Sequence, residues 1–309
     1  MTTWEQVAGD SRYTQVLDKG FVGLIDYMGD DAAIVQAARV SYGAGTKSVN
    51  EDRGLIRYLM RNSHSTPFEM VEFKFHLKMP IFVMRQHVRH RMASINEYSG
   101  RYSVMTDEFY IPEQSRLQAQ SRDNKQGSGA QLHGQELEMA LNTIKRVSAE
   151  NYLDYLSLIN DEEGRNYNLG ERQGLARELA RMVLPLNNYT ELYWKIDLKN
   201  LFHYLNLRVD SHAQMEIQQL ALPIAEHVKR ICPIAWEAFE DYWQQATTVS
   251  RLEKNLLQAL IEFSSTQSVG FGESYETMCQ KAGGKAQLQS EFGMSKREMA
   301  EFERQWKLA

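Results

Sequence analysis

Cysteine is scarce in this chain: Cys232 and Cys279 are the only two in 309 residues. That excludes a disulfide framework and a cysteine zinc site, and it suits a reducing compartment. Long apolar runs are missing too, so no segment matches the length of a membrane span. The opening Met1-Thr2-Thr3-Trp4-Glu5 lacks the basic and apolar regions of a signal peptide, and the expectation is a cytoplasmic protein with no membrane partner. There is no excess of basic charge: the formal net charge is -5, which argues against wholesale binding of nucleic acid. A Gly-rich dinucleotide fingerprint is also lacking, which excludes a Rossmann-type crevice. What remains is an ordinary globular composition, 43% hydrophobic and 24% charged, with length for one large or two smaller domains.

Against that background one stretch stands out, Arg89-His90-Arg91-Met92-Ala93-Ser94-Ile95-Asn96-Glu97-Tyr98-Ser99-Gly100-Arg101-Tyr102-Ser103. Arginine offers a planar fork of donors matched to phosphate and carboxylate, and it stays charged when partly buried. Serine hydroxyls and the Gly100 backbone can add short hydrogen bonds to the same anion. By residue type alone the stretch suits either a pocket for a phosphorylated ligand or a solvated basic loop.

The order of these residues is more specific. An Arg-His-Arg triplet followed by seven residues and a serine, continuing through Ser99-Gly100-Arg101-Tyr102-Ser103, resembles the signature of the flavin-dependent thymidylate synthases. Two further blocks resemble the same family: His64-Ser65-Thr66-Pro67-Phe68-Glu69, and Asn206-Leu207-Arg208-Val209-Asp210-Ser211-His212-Ala213-Gln214-Met215-Glu216-Ile217-Gln218. Weaker similarity extends from about residue 13 to 240, leaving about sixty residues that are unusual for the family.

The resemblance implies reductive methylation of dUMP to dTMP, with FAD as cofactor and NADPH and 5,10-methylenetetrahydrofolate as co-substrates. It also implies a homotetramer with sites between subunits. The implied fold is α/β of the α+β kind, an antiparallel sheet flanked by long helices, the thymidylate synthase-complementing fold, over residues 1–245. Residues 246–309 then form an appended helical element of unknown role. Carried over residue by residue, the nucleotide falls to Gln86, Arg89, Glu97, Tyr98, Ser99, Gly100, Arg101, Arg181 and Arg208. Flavin falls to Ser41, His64, Thr66, Arg89, His90, Arg91, Glu97, Lys199, His203 and His212. Arg208 is the expected catalytic residue. A thymidylate synthase of the other kind needs a cysteine nucleophile, and neither cysteine lies near these blocks. Uracil must then be activated by positive charge beside a ring that becomes anionic.

Departures from the family pattern are Asp197, Lys199 and His203, at positions where the family carries Asn-x-Arg and a later Asn. Lys199 keeps the charge but not the fork, and Asp197 would repel a flavin phosphate if it faced one. Asp197 and His203 leave open a related flavoenzyme that modifies the same uracil carbon differently, for example by hydroxymethylation. A non-catalytic nucleotide-binding or partner-binding protein is the other alternative.

Periodicity supplies the elements. A helix begins at Asp30 or Asp31 as cap and runs to Val40, and another spans Asn50 to Arg61. Val71 to Met79 alternates cleanly, with Glu72, Lys74, His76 and Lys78 on the solvent face. Pro80 ends that strand and opens a helix from Ile81 to Val88. Polar residues from Pro112 to Gly134 read as a long loop, and Gln135 to Asn160 as a long helix. Gly174 to Leu184 reads as a short helix and Asn188 to Leu198 as a strand. Leu201 to Leu207 is helical, and a helix to Ile231 follows, broken or kinked near Pro223. In the tail, Leu252 to Phe263 reads as a helix, and Ser295 with Glu298 as the capping-box start of a last one.

Overall fold

The structure, a computed structural model, describes residues 1–40, 49–121, 127–167 and 171–308. The chain divides into two compact units, Met1–Gln245 and Ala246–Ala309.

After the single-turn helix α1 (Trp4–Val7), unit 1 is built on a five-stranded sheet. Its strands are β1 (Tyr13–Val16), β2 (Gly20–Met28), β3 (Glu72–Pro80), β4 (Ser94–Glu97) and β7 (Tyr189–Asp197), and every neighbouring pair runs antiparallel in the order β1-β2-β3-β7-β4. The alternation of β3 puts Phe73, Phe75, Leu77 and Met79 on one face, and all four are fully buried. The helices packed on that face include α2 (Asp31–Arg39), α3 (Val49–Arg61), α4 (Ile81–His87), α7 (Leu198–Arg208), α8 (Met215–Ile231) and α9 (Pro233–Phe239). The shared core includes Ile34, Ile56, Val83, Phe202, Leu220 and Phe239, each worth about 1.5–3 kcal/mol when wholly buried. Asp30 is the cap of α2, accepting from the Ala32 N–H at 2.9 Å. That frees Asp31 to cap α9 through the Ile234 and Ala235 N–H groups at 2.8 and 2.9 Å.

The opposite face of β3 departs from expectation. His76 is only 4% exposed rather than solvent-facing, and Lys78 is wholly buried. His76 bridges Tyr13 Oη at 3.0 Å and Glu191 Oε1 at 2.7 Å, and Lys78 Nζ donates to Glu108 and to the Thr2 carbonyl. Thr2 in turn donates from its N–H and hydroxyl to Glu191, so the N-terminal segment covers this face. Gly23 makes room for the arrangement, because a Cβ there would lie 2.3 Å from the Tyr13 ring. An alternating strand cannot reveal that its polar face is roofed by residues far off in sequence.

Other expectations are corrected in detail. The 112–134 segment is not a plain loop: it holds the short strands β5 (Gln118–Gln120) and β6 (Ser128–Gln131), paired as a hairpin. The long helix α5 (Gly134–Leu158) follows it. The helix expected from Gly174 shrinks to one turn, α6 (Arg177–Ala180), continued by a 3-10 turn over Arg181–Val183. Pro223 does not break α8, which runs through it.

Unit 2 consists of α10 (Arg251–Gln267), α11 (Phe271–Ala282), α12 (Lys285–Glu291) and α13 (Lys296–Trp306). Its core gathers Leu256, Leu260, Tyr275, Leu288, Met294, Met299 and Phe302. Capping boxes close the starts of α10 and α13, the latter through Ser295 and Glu298. Among the described residues no helix is long and apolar enough to cross a membrane.

Candidate active site

All three sequence blocks lie in unit 1, and two of them, with Arg181, supply two groups of side chains. One forms where α4 ends and α7 ends. His90 follows the last turn of α4, while Arg208 is the last residue of α7. Arg208 donates from Nε to His90 Nε2 at 3.1 Å. His90 must therefore be neutral at that nitrogen and carry its proton on Nδ1. Burial, helped by the charges of Arg208 and His203, holds the His90 imidazole down to a pKa of about 4. The His203 and Tyr204 rings flank it at 5.7 and 4.8 Å between centroids. Beneath it His87 is wholly buried against Trp194 and Tyr204, and among the described residues no hydrogen bond reaches either ring nitrogen. Burial pushes that imidazole down to about 3.

With Nε committed, the two terminal amino groups of Arg208 stay free among the described residues. They belong to a residue lining a cavity of about 760 Å³, which Asp210, His212 and Trp243 also line. His212 is exposed and held by Asp210, whose carboxylate receives the His212 N–H at 2.7 Å and contacts Nδ1 at 2.9 Å. Asp210 thus orients His212 rather than capping α8, whose first residue is Met215. Arg208 and His212 reach one cavity from separate segments, not from one helix face.

The second group forms at the far end of β4. Glu97 Oε1 accepts from Thr190 Oγ1 at 2.7 Å, and the chain then turns through Ser99 and Gly100. A Cβ on Gly100 would stand 2.9 Å from Met105 Sδ and 3.3 Å from Arg181 Cδ, so glycine is what lets Arg181 lie against this turn. Arg101 pairs loosely with Glu178 at 3.3 Å, and Arg177 donates to the Tyr102 carbonyl. Arg101 and Arg181 are both exposed at this turn, where the Arg101 N–H donates to Ser99 Oγ at 3.3 Å, and their guanidinium groups are a donor set suited to a phosphate. Tyr98 points inward, its hydroxyl on the Val104 carbonyl at 2.9 Å and its N–H on the Glu191 carbonyl. Among the described residues, no hydrogen bond or ion pair links this group to the Arg208 group.

His64 and Thr66 line a largely apolar cavity of about 940 Å³, and His64 and Lys199 share a smaller one of about 190 Å³ with Trp243. Asp197 does not face outward: it caps α7, accepting from the Asn200 N–H at 2.9 Å and the Asn200 side chain at 2.7 Å. Arg89 and Arg91 are exposed, and among the described residues no carboxylate pairs with either. Ser41 lies outside the described residues. Gln86 meets a partner that sequence reasoning passes over, Gln214, inside a block read only for Arg208 and His212. The cysteine of unit 1 does not serve here: Cys232 is wholly buried in the core with its thiol pushed up by burial. No cluster of metal-binding side chains occurs among the described residues.

An antiparallel sheet backed by helices, with an arginine-rich turn and a cavity-facing arginine, defines a class of protein built to hold an anionic ligand such as a nucleotide. Residues 23–234 match the family model described as thymidylate synthase complementing protein. A flavin-dependent thymidylate synthase of Ruegeria pomeroyi is 49% identical over 288 residues, covering 93% of this chain and 86% of that protein. The enzyme of the same name from Thermus thermophilus is 55% identical over 246 residues, covering 80% and 85%. In shape, the chain is similar to the UMP/dUMP methylase PolB of Streptomyces cacaoi bound with 5-Br dUMP. There the TM-score is 0.64 and the identity 30%, over 75% of this chain and 99% of that one. The chain belongs to the thymidylate synthase complementing protein family. A 288-residue match cannot fit within Met1–Gln245, so the Ruegeria relative shares part of unit 2 as well.

Proposed function

We infer that this protein is a flavin-dependent thymidylate synthase that methylates C5 of dUMP to give dTMP. The observation that carries the reading is Arg208, fixed through Nε by a neutral His90, with its remaining donors free at a cavity among the described residues and the one cysteine of unit 1 buried in the core. A guanidinium in that state stabilises negative charge on a uracil ring, the electrostatic alternative to covalent activation by cysteine.

Ser99, Gly100, Arg101 and Arg181 hold the nucleotide phosphate, with Gln86, Arg89, Glu97 and Tyr98 contributing around the sugar and the turn. The flavin is FAD, and the residues present fit it. Arg89 and Arg91 offer exposed cations without carboxylate partners among the described residues, suited to a diphosphate, and His90, His203 and His212 offer imidazoles near Arg208. His64, Thr66, Lys199 and Ser41 complete its site. When bound, the flavin supplies the hydride, drawn from NADPH, and methylenetetrahydrofolate supplies the one-carbon unit. Asp197, spent on its helix cap, does not oppose the flavin phosphates. We assign a homotetramer whose sites draw on more than one copy, a reading favoured by the lack, among the described residues, of any hydrogen bond or ion pair joining the phosphate group to the Arg208 group. We place this activity in the cytoplasm, in unit 1, and assign unit 2 no chemical step.

The test is anaerobic incubation with dUMP, methylenetetrahydrofolate, FAD and NADPH, followed by mass analysis of the nucleotide. A gain of one methyl is the expected result. An added hydroxymethyl, or unchanged dUMP, overturns the reading.

A further inference from the structure

Glu216 sits in the first turn of α8, only 5% exposed, and its carboxylate accepts three hydrogen bonds. Tyr110 Oη and Arg116 Nη2 donate to Oε1, at 3.2 and 3.3 Å. Gln214 Nε2 donates to Oε2 at 2.8 Å. The Gln214 side-chain oxygen, at the other end of that amide, accepts from Gln86 Nε2. This chain has only one direction. A carboxylate beside a guanidinium accepts, so Gln214 must turn its NH2 towards Glu216 and its oxygen towards Gln86. Gln86 must then turn its own NH2 towards Gln214.

We propose that Glu216, acting through Gln214, is a positioning residue that fixes which end of the Gln86 amide meets the bound nucleotide. The proposal rests on the reading of Gln86 as a dUMP contact. An isolated glutamine can offer either end of its amide to a ligand at similar cost, and half of its encounters would present the wrong one. Here the choice is made before the ligand arrives, by a buried charge two residues along the sequence from Gln214.

Glu216→Gln inverts the chain. The introduced amide has one oxygen, and Arg116, which can only donate, takes it. The introduced NH2 replaces Oε2 and needs an acceptor, so Gln214 flips, and Gln86 flips after it. Donor and acceptor at the nucleotide are exchanged while the volume of the site is unchanged. Adding Arg116→Met releases the oxygen of the introduced amide: the Tyr110 hydroxyl can accept as well as donate, so the original direction becomes available again.

The experiment measures KM for dUMP and kcat on the flavin-loaded enzyme for Glu216→Gln, Glu216→Gln with Arg116→Met, Gln214→Leu and Gln86→Leu. Flavin absorbance and thermal melting serve as checks on folding. Glu216→Gln is expected to raise KM by about ten-fold with kcat at saturating dUMP little changed, the size of one reversed hydrogen bond. The double variant is expected to regain most of that loss, which a merely structural role would not allow. Gln214→Leu, at an exposed position, interrupts the same chain while the carboxylate keeps its charge and its bonds from Tyr110 and Arg116, and it raises KM similarly, so the idea stays testable if Glu216→Gln folds poorly. An unchanged KM in both Glu216→Gln and Gln214→Leu, alongside a raised KM in Gln86→Leu, overturns the positioning role and leaves the nucleotide contact standing. An unchanged KM in Gln86→Leu removes the nucleotide contact itself, and the positioning role with it.

Discussion

Arg208 gives its Nε–H to Nε2 of His90, and the bond fixes the charge state of one residue and the aim of the other. A protonated His90 would have no lone pair at Nε2 and would place two cations in contact. The imidazole is instead kept neutral by burial first and by Arg208 second. Arg208 can thus stand half-buried without a carboxylate partner among the described residues, its positive charge left uncompensated for a ligand.

Replacing Arg208 with alanine is expected to abolish turnover while the protein still folds and holds flavin. Removing one preorganised electrostatic donor typically costs about 10²–10³ in kcat, and the Cys232 thiol of unit 1 is buried away in the core. Arg208→Lys restores charge but not the fork, nor the Nε–H that meets His90, so it should recover little. Single-turnover assays and flavin absorbance on the two variants check this, and wild-type turnover in Arg208→Ala would sink the assignment.

His87 carries a pH prediction. Folded His87 titrates near 3 and His90 near 4, whereas an unfolded histidine titrates near 6.5. Above pH 6.5 both forms of the chain hold these rings neutral, and stability is independent of them. As pH falls from 6.5 towards 4 and then 3, the unfolded chain takes up protons that the folded chain refuses, so stability is lost. His87 alone accounts for roughly 3 kcal/mol of that loss by pH 4. Glu191, held down to about 2 by hydrogen bonds from His76 and Thr2 that outweigh its burial, adds a further loss only as pH falls below 4.5. His87→Phe keeps a ring between Trp194 and Tyr204, removes two unpartnered nitrogens, and should gain about 1 kcal/mol at pH 7. Urea unfolding of both proteins from pH 7 to 4 tests it, and an equally steep acid loss in the variant would rule out His87 as the cause.

How much of this can be read from residues alone depends on how far apart the interacting partners are in sequence. The β3 alternation, the α2 cap and the capping box of α13 rest on spacings of two to four residues, and each is legible. The buried state of His76 is not, because its partners Tyr13 and Glu191 lie 63 and 115 positions away. By residue type Asp197 is a charge that could oppose a cofactor, yet its two oxygens are taken by Asn200, three residues on. That cap is within reach of sequence reasoning once α7 is started at Leu198 rather than Leu201. Glu216 is hidden for a different reason: its role needs Gln86, Tyr110 and Arg116 from three other segments. The arginines of the signature stretch are visible as residue types, but only the Gly100 contact shows that Arg181, from a distant segment, lies against their turn.

The unit 2 helices give the last prediction. Phe302 is wholly buried among Leu256, Leu288 and Met299, and Glu303 beside it is buried with bonds from Tyr275 Oη at 2.7 Å and from Lys285. A unit of this size has little surplus stability. Phe302→Ala removes about 3–5 kcal/mol, enough to unfold the unit in the full-length chain. Because every residue assigned to nucleotide or flavin lies in Met1–Gln245, turnover with saturating dUMP should be unchanged, and deletion of residues 246–309 should give the same result. Limited proteolysis reports whether unit 2 has opened, and the assay is run on the same sample. Opened unit 2 with intact turnover would show that the part shared with the Ruegeria relative serves something other than the chemical step. Loss of turnover in step with opening would instead place a determinant of catalysis in unit 2, and the assignment of the whole site to unit 1 would have to be abandoned.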